Sequence, residues 1–186
     1  GVEITDGSRD VMLFTSEGKV NRFKESDTRP MGRTARGVKG VRLPDGCKVI
    51  GLLLAADGKV LTATENGYGK RTDLNEYLVT SEHDDGTVTR RTQSRGGKGR
   101  IDIRTSDRNG GVVAVRAVSS DEDVMLITQK GMLVRIPAES ISKIGRATQG
   151  VRVINLKQGD RLVSAARVME KEDGEPAPDA PEPEGD

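Results

Sequence analysis

The chain repeats itself at an offset of 113 residues. Residues 10–22, Asp-Val-Met-Leu-Phe-Thr-Ser-Glu-Gly-Lys-Val-Asn-Arg, match residues 123–135, Asp-Val-Met-Leu-Ile-Thr-Gln-Lys-Gly-Met-Leu-Val-Arg, without a gap. Residues 60–71 carry a third copy at an offset of 49 from the first, and after Tyr77 this offset rises to 62. The middle copy therefore holds 13 additional residues near 81–92. Such a period predicts one small unit used three times, because each unit must stack on its neighbour to bury an apolar face.

Each unit reads as β-strands. It opens with two β-rich runs around a glycine, Gly18, Gly67 or Gly131, which predicts a hairpin. Two further strands are predicted in each unit, at residues 38–43 and 48–54, 100–104 and 111–118, and 151–156 and 161–168. Helical periodicity is weak, apart from a single turn near 138–144, and four strands per unit is typical of a propeller blade. The sequence thus predicts an all-β, propeller-like array of about three blades, with repeats at 10–55, 59–118 and 123–168.

The net charge of +1 hides an uneven distribution. Residues 170–186 contain eight acids and one lysine, whereas residues 1–169 contain 29 basic and 21 acidic residues. The acidic segment also holds four of the seven prolines, so we expect a disordered tail after a partial propeller domain at 1–169. This tail is expected either to keep the chain soluble or to compete with DNA for the basic domain.

Composition excludes several classes of protein. Cys47 is the single cysteine and His83 the single histidine, so neither an intrachain disulfide nor a zinc site of three or four Cys and His ligands is possible. The longest apolar run, residues 49–56, is too short to span a membrane, and residues 1–30 lack the apolar core of a signal peptide. We expect a cytoplasmic chain with no membrane partner. Four aromatic residues are too few for a platform that stacks single-stranded bases.

One basic loop points to phosphate. Residues 93–99, Gln-Ser-Arg-Gly-Gly-Lys-Gly, combine glycines that let the backbone approach a partner with cations that we expect to be exposed. A flexible basic turn is the alternative. The equivalent loops of the other units also carry arginine, so we expect Arg33, Arg95 and Arg146 to lie along one curved edge that binds duplex DNA through its phosphates.

The candidate DNA-binding residues are basic side chains in or near these loops, together with the other residues of the central loop. They are Gln93, Ser94, Arg95, Gly96, Gly97, Lys98, Gly99, Arg100, Arg33, Arg36, Lys39, Lys70, Arg71, Arg90, Arg91, Lys143 and Arg146.

No catalytic constellation stands out. Tyr68 lies close to two cations, but its counterparts in the other hairpins are Lys19 and Met132, so packing in a hairpin explains it better than activation as a nucleophile. His83 is expected in a solvated acidic loop, and residues 121–123 in a charged turn rather than at a metal. No Gly-Lys-Ser or Gly-Lys-Thr phosphate loop is present. We expect no catalytic, cofactor-binding or metal-binding residue in this chain.

Residues 93–99 resemble the gyrase box, Gln-Arg-Arg-Gly-Gly-Lys-Gly, of the DNA gyrase A C-terminal domain, and differ from it at Ser94. Residues 10–20, 22–26 and 62–72 resemble the later blades of that domain, and the acidic ending is similar as well. The resemblance covers the whole of residues 1–169 except the insertion near 81–92.

The resemblance implies a β-pinwheel, in which blades exchange strands, and a function in binding and bending DNA around a basic perimeter. Such a domain is a noncatalytic part of DNA gyrase, a type II topoisomerase that hydrolyses ATP to introduce negative supercoils. ATP and magnesium are then used elsewhere in an assembly of two gyrase A and two gyrase B chains, near the bacterial nucleoid. The family usually has six blades, so this chain resembles the C-terminal half. The related domain of topoisomerase IV and a protein-binding propeller remain alternatives.

Overall fold

Antiparallel hairpins build this chain in its computed structural model, which describes residues 1–56 and 58–168. The predicted tail at 170–186 lies outside the described residues. In chain order the strands are β1 (Asp10–Thr15), β2 (Lys19–Lys24), β3 (Val49–Leu54), β4 (Lys59–Thr64), β5 (Tyr68–Asp73), β6 (Val79–Glu82), β7 (Val88–Arg91), β8 (Arg100–Ile101), β9 (Val112–Val118), β10 (Asp123–Thr128), β11 (Leu133–Pro137), β12 (Val151–Arg152) and β13 (Leu162–Val168). Short 3-10 helices follow β2, β5 and β11 at Glu25–Asp27, Leu74–Tyr77 and Ala138–Ser140.

The strands form three main sheets and one ribbon. The first sheet has the order β3-β1-β2-β8, the second β9-β4-β5-β12 and the third β13-β10-β11, while β6 and β7 pair only with each other. β8 belongs to the second repeat but completes the first sheet, and β12 belongs to the third repeat but completes the second. Successive sheets are therefore joined by an exchanged outer strand.

The predicted hairpins are confirmed. Gly18, Gly67 and Gly131 occupy the turns with φ between 74° and 84°, a backbone conformation that favours glycine. Each hairpin also carries the same irregularity, because the register against the third strand of its sheet shifts at a buried threonine, Thr15, Thr64 or Thr128. The repeat seen in the sequence is thus a repeat of backbone geometry.

Apolar side chains are buried between successive sheets. One core cluster, which includes Met12, Phe14, Val60 and Val115, joins the first sheet to the second, and another, which includes Leu61 and Leu126, joins the second to the third. β4 is buried along most of its length because sheets cover it on both sides. This stacking leaves the outer strands, and the loops that lead into them, at the surface.

The all-β prediction is confirmed, but several predicted strands are shorter. Within 100–104 and 151–156 only the two-residue strands β8 and β12 form, and residues 38–43 have no regular structure. β8 and β12 each pair with the hairpin of the preceding repeat, whereas residues 38–43 pair with no strand among the described residues. The insertion near 81–92 forms the ribbon β6–β7, which the sequence did not predict. The described residues include no helix long and apolar enough to cross a membrane.

Candidate nucleic-acid interface

The central basic loop, residues 93–99, runs along the outer edge of β2. The Gln93 backbone N–H donates to the Arg22 carbonyl at 2.8 Å, and the Arg22 N–H donates back to Gln93 Oε1 at 2.8 Å. Gln93 Nε2 donates to the Tyr77 carbonyl at 2.6 Å. The Gln93 side chain therefore fixes the start of the loop by hydrogen bonds within the fold.

The glycine at the end of this loop is required by a close approach. Gly99 has φ 73°, and a Cβ there would lie 2.6 Å from the Val20 carbonyl oxygen. Its counterpart in the third repeat, Gly150, has φ 74°, and a Cβ there would lie 2.8 Å from the Gly69 oxygen. Both glycines let the incoming segment dock against a hairpin before it forms its outer strand.

The Arg95 side chain makes hydrogen bonds within the fold that the sequence did not predict. Its Nε donates to the Asp27 carbonyl at 2.8 Å and its Nη1 to the Lys39 carbonyl at 2.8 Å. The side chain is only partly exposed, so the expectation of a fully exposed arginine was wrong. Ser94 and Lys98 are exposed, and Lys98 makes no hydrogen bond or ion pair with the residues that the structure describes.

Equivalent hydrogen bonds connect the three basic loops in series. The chain after the first loop contacts the central loop, with Gly96 N–H donating to the Gly40 carbonyl at 2.9 Å and Arg42 N–H to the Gly97 carbonyl at 2.8 Å. Arg104 N–H donates in the same way to the Thr148 carbonyl of the third loop at 2.8 Å. The central and third loops therefore lie against β2 and β5, the outer strands of two successive hairpins, and the segment after the first loop contacts the central loop.

Most of the other candidate cations lie at the surface. Arg33, Arg36, Lys39, Arg90, Arg91 and Lys143 are exposed. Lys143 Nζ lies 3.7 Å from Asp73 Oδ2, an exposed ion pair that leaves the lysine accessible. Arg146 is partly exposed and donates to the Ile101 carbonyl at 3.4 Å, which matches the bond from Arg95 to Lys39.

Arg100 lies just beyond the central loop and is partly exposed. Its Nη1 donates to the Leu78 carbonyl at 3.0 Å. Burial, reinforced by the charge of Arg146, lowers its pKa, although arginine stays protonated at neutral pH. The side chain thus adds positive charge close to the ribbon.

The structure removes two candidates from the interface. Lys70 is 0% exposed, and its Nζ lies 3.1 Å from Asp102 Oδ1. Arg71 is 6% exposed and donates to the carbonyls of Ile141, at 2.8 Å, and Glu139, at 3.0 Å. The prediction that both contact DNA was wrong, because their side chains are used inside the fold between the second and third repeats.

Some exposed arginines next to the basic loops were missed. Arg42 and Arg104 occupy equivalent positions, their backbone N–H groups make the hydrogen bonds between loops, and both side chains are exposed. The offset of 62 that relates them is visible in the sequence and could have found them. Arg108 and Arg152 are also exposed, but no repeat relates them, so only the fold brings them together.

Tyr77 is used for packing. Tyr77 is fully buried, contacts Phe14 edge-on at 6.0 Å between ring centroids, and donates its hydroxyl to Asp102 at 2.7 Å. Burial and the Asp102 charge raise its pKa well above the ordinary value, the opposite of an activated nucleophile. His83 is exposed in the ribbon turn and lies 3.0 Å from Thr89 Oγ1. Across 1–56 and 58–168, His, Cys, Asp and Glu form no group of three able to hold a metal.

Comparisons with known proteins agree with this geometry. The family model for the DNA gyrase C-terminal domain, described as a β-propeller, matches residues 9–56, 58–81, 91–119 and 122–169. The unmatched residues 82–90 fall in the ribbon. The A subunit of DNA gyrase from Escherichia coli (strain K12) is 45% identical over 176 residues, which make up 94% of this chain and 19% of that protein. The chain spans about a fifth of the length of the curated relatives it matches.

Solved structures show the same fold. The DNA gyrase A C-terminal domain superposes with a TM-score of 0.75 at 25% identity, covering 89% of this chain and 52% of that one. The C-terminal domain of DNA topoisomerase IV superposes with a TM-score of 0.77 at 23% identity, covering 90% and 49%, and supports the fold alone. Together with the exchanged strands β8 and β12, these matches confirm the predicted β-pinwheel.

Proposed function

Because this chain belongs to the family of the DNA gyrase A C-terminal domain, we propose that it binds duplex DNA along its basic loops and bends the duplex around them. The observation that supports the proposal is the pair of basic loops along β2 and β5, each joined by equivalent hydrogen bonds to the segment that follows the preceding basic loop. Arg36 and Lys98 are exposed cations at corresponding positions of the first two loops, where the third loop carries Gln149. A repeated row of cations suits a repeated row of phosphates.

Binding is proposed to be independent of sequence. The exposed side chains of this surface are mainly arginines and lysines, which contact phosphates, and the described residues contain no α-helix that could enter a major groove. Specificity then comes from how easily a given duplex bends, since bending brings phosphates onto successive loops.

The domain is proposed to act inside a larger enzyme. As a part of gyrase A, it supports the negative supercoiling that the gyrase holoenzyme drives with ATP and magnesium held elsewhere, and it has no catalytic step of its own. The remainder of gyrase A and the gyrase B protein, in an assembly of two copies of each, are the proposed protein partners. The proposed location is the cytoplasm, at the nucleoid, where the DNA is.

Two alternatives make different predictions. A topoisomerase IV domain also binds DNA, and the fold similarity to that family is as close as to gyrase; the nearly complete box at residues 93–99 favours gyrase. A propeller that binds an acidic protein through the same loops does not require duplex DNA at all. Salt-dependent binding to duplex DNA separates this last alternative from the others.

The test of DNA binding replaces two equivalent exposed cations, Arg36 and Lys98. The double variant Arg36→Ala/Lys98→Ala is titrated with a duplex by fluorescence anisotropy at several salt concentrations. We expect weaker binding for every duplex sequence and a log–log salt slope that is shallower by about 1.8, at about 0.9 for each lost phosphate contact. Arg135→Ala is the matched control, because its guanidinium is already paired with Asp123. An unchanged slope in the double variant contradicts the proposal.

Bending is tested separately from binding. Closed circular DNA is relaxed by a topoisomerase with and without the chain, and the trapped change in linking number is read on a gel. A change that depends on Arg36 and Lys98 supports wrapping around the loops. Tight binding with no trapped change contradicts wrapping and leaves binding standing.

A further inference from the structure

Two arginines converge on Tyr68 in the second sheet. The guanidinium carbon of Arg108 lies 5.1 Å from the centre of the Tyr68 ring, and that of Arg152 lies 5.3 Å from it. Arg108 Nε and Arg152 Nη2 also lie 3.4 Å and 3.1 Å from the same hydroxyl oxygen. The two donor atoms are therefore no more than about 6.5 Å apart, since both are within reach of one oxygen.

This pair of cations lacks an anionic partner. Among the described residues neither Arg108 nor Arg152 forms an ion pair with a carboxylate, although both are exposed. Like charges at such a separation repel each other, and a bound anion between them would turn that repulsion into attraction. Hydrogen bonds from Arg108 and then from Arg152 lower the pKa of the Tyr68 hydroxyl, as expected where positive charge is uncompensated.

The arrangement is held in place by the fold. Tyr68 is 6% exposed and begins β5, and Arg152 pairs with it across the exchanged strand β12. Arg108 sits in a loop whose Asn109 side chain is fully buried and donates to the carbonyls of Arg104 at 2.9 Å and Gln149 at 3.0 Å. The Asn66 side chain donates to the Arg108 carbonyl at 3.2 Å. Both guanidiniums are therefore positioned before any ligand arrives.

The cluster is not a copy of the repeat. In the first sheet the positions of Tyr68 and Arg152 are held by Lys19 and Ile101, so that sheet has no counterpart. The cluster adjoins the third basic loop, because only Val151 separates Arg152 from Gly150 in the chain. It thus extends the row of basic loops at one point only.

We propose that Tyr68, Arg108 and Arg152 form a binding site for a single phosphate group, and that this group is a backbone phosphate of duplex DNA next to the third basic loop. The site rests on the function proposed above and names one fixed point on the path of the duplex. Tyr68 acts as a positioning residue that holds two forked donors for one anion, a geometry that arginine provides and lysine does not.

The first experiment measures how many phosphates the pair neutralises. In the double variant Arg108→Gln/Arg152→Gln, the salt slope of duplex binding should become shallower by about 0.9, the value for one phosphate. Two independent contacts would lower it by about 1.8, and that result, like an unchanged slope, overturns the shared site. Arg135→Gln, whose charge is paired with Asp123, is the control and should leave the slope unchanged.

The second experiment uses the unmodified chain, so it does not depend on how the variants fold. The Nε–H resonances of Arg108 and Arg152 are followed by NMR during titration with a short duplex and, separately, with inorganic phosphate. Both resonances should shift together as the duplex is added, and a shift of only one of them overturns the shared site. A response to inorganic phosphate but not to the duplex means a site for a free anion and overturns the assignment to DNA.

The outcomes separate this site from the wider proposal. If Arg36→Ala/Lys98→Ala weakens duplex binding but Arg108→Gln/Arg152→Gln does not, only the phosphate site is wrong. If neither double variant changes duplex binding, the proposed function itself is wrong.

Discussion

Two equivalent junctions, in which a basic loop docks against a hairpin and against the segment after the preceding loop, share their backbone contacts but differ in their side chains. At the first junction Asn21, which is buried, donates from Nδ2 to the carbonyls of Gly40 at 2.8 Å and Ser94 at 3.2 Å. Its Oδ1 is buried and has no hydrogen-bond partner among the described residues. The buried side chain at the centre of this junction, which holds the central basic loop, is therefore neutral, and its hydrogen-bonding capacity is only partly used.

At the second junction Lys70 replaces Asn21 and Asp102 replaces Gly40. Lys70 Nζ lies 3.1 Å from Asp102 Oδ1 and 3.5 Å from the Gly145 carbonyl. Asp102 also accepts from Thr62 Oγ1 at 2.7 Å and from the Tyr77 hydroxyl at 2.7 Å. Burial lowers the pKa of Lys70, and the Asp102 charge partly opposes this shift.

The difference shows that equivalent repeats need not be held together equally. The backbone hydrogen bonds place each loop against its neighbour in both cases. The buried side chain at the first junction is an amide, whereas the second junction places a charged pair out of water, which stays favourable only while both partners and their hydrogen bonds are present. We therefore expect the second junction to be the more sensitive to substitution.

The largest effect is expected from Asp102→Ala. It leaves Lys70 buried without a counter-charge and should lower the free energy of unfolding by about 3–5 kcal/mol. Asn21→Ala is the matched change at the first junction and should cost about 1–2 kcal/mol, because only neutral hydrogen bonds are lost. Urea unfolding monitored by circular dichroism measures both.

Adding Lys70→Met to Asp102→Ala should recover part of the loss, because the buried charge is then gone. Equal losses from Asp102→Ala and Asn21→Ala would mean that the ion pair does not distinguish the junctions.

A second effect is expected at alkaline pH. The pKa of Tyr77 is raised in the folded chain, so above its unfolded value of 10.0 the unfolded chain loses this proton while the folded chain keeps it. The stability that Tyr77 contributes is therefore complete below pH 10.0 and declines above it, by at most about 1.4 kcal/mol for each pH unit. The difference in unfolding free energy between the native chain and Tyr77→Phe should stay constant below this pH and shrink above it. A difference that is flat across pH 10.0 contradicts the raised pKa.

The smallest effect concerns the loops themselves. Gly96 of the central loop has φ 74°, and its counterpart in the third loop is Ala147, with φ 62°. A residue with a side chain is disfavoured at this φ. Ala147→Gly should therefore raise the melting temperature and increase the free energy of unfolding by about 0.5–1 kcal/mol. Gly96→Ala, at the first junction, should lower the free energy of unfolding by a similar amount. Calorimetry of the two variants tests whether the loops share one backbone geometry.

Much of the fold could be predicted from local sequence patterns. The glycine turns at Gly18, Gly67 and Gly131 were predictable, because a tight hairpin demands a φ that glycine adopts freely. The shortness of β8 and β12 was not, because the length of an outer strand depends on a partner that is distant in sequence.

The site was predictable where the repeat specifies it and not elsewhere. The three basic loops and their exposed cations follow from the offsets between repeats. Lys70 and Arg71 look like surface cations in the sequence, and only tertiary packing shows that they are buried. Arg108 and Arg152 meet at Tyr68 through a long-range pairing of β5 with β12, which no local pattern encodes.

Because β8 and β12 pair with the sheet of the preceding repeat, one sequence repeat does not coincide with one sheet. A gene duplication that copies one repeat delivers a hairpin that needs an outer strand and an outer strand that needs a hairpin. Inserted between two repeats, such a copy supplies its outer strand to the repeat before it and receives one from the repeat after it. An array of this kind can gain or lose whole repeats while the pairing between hairpin and outer strand stays the same.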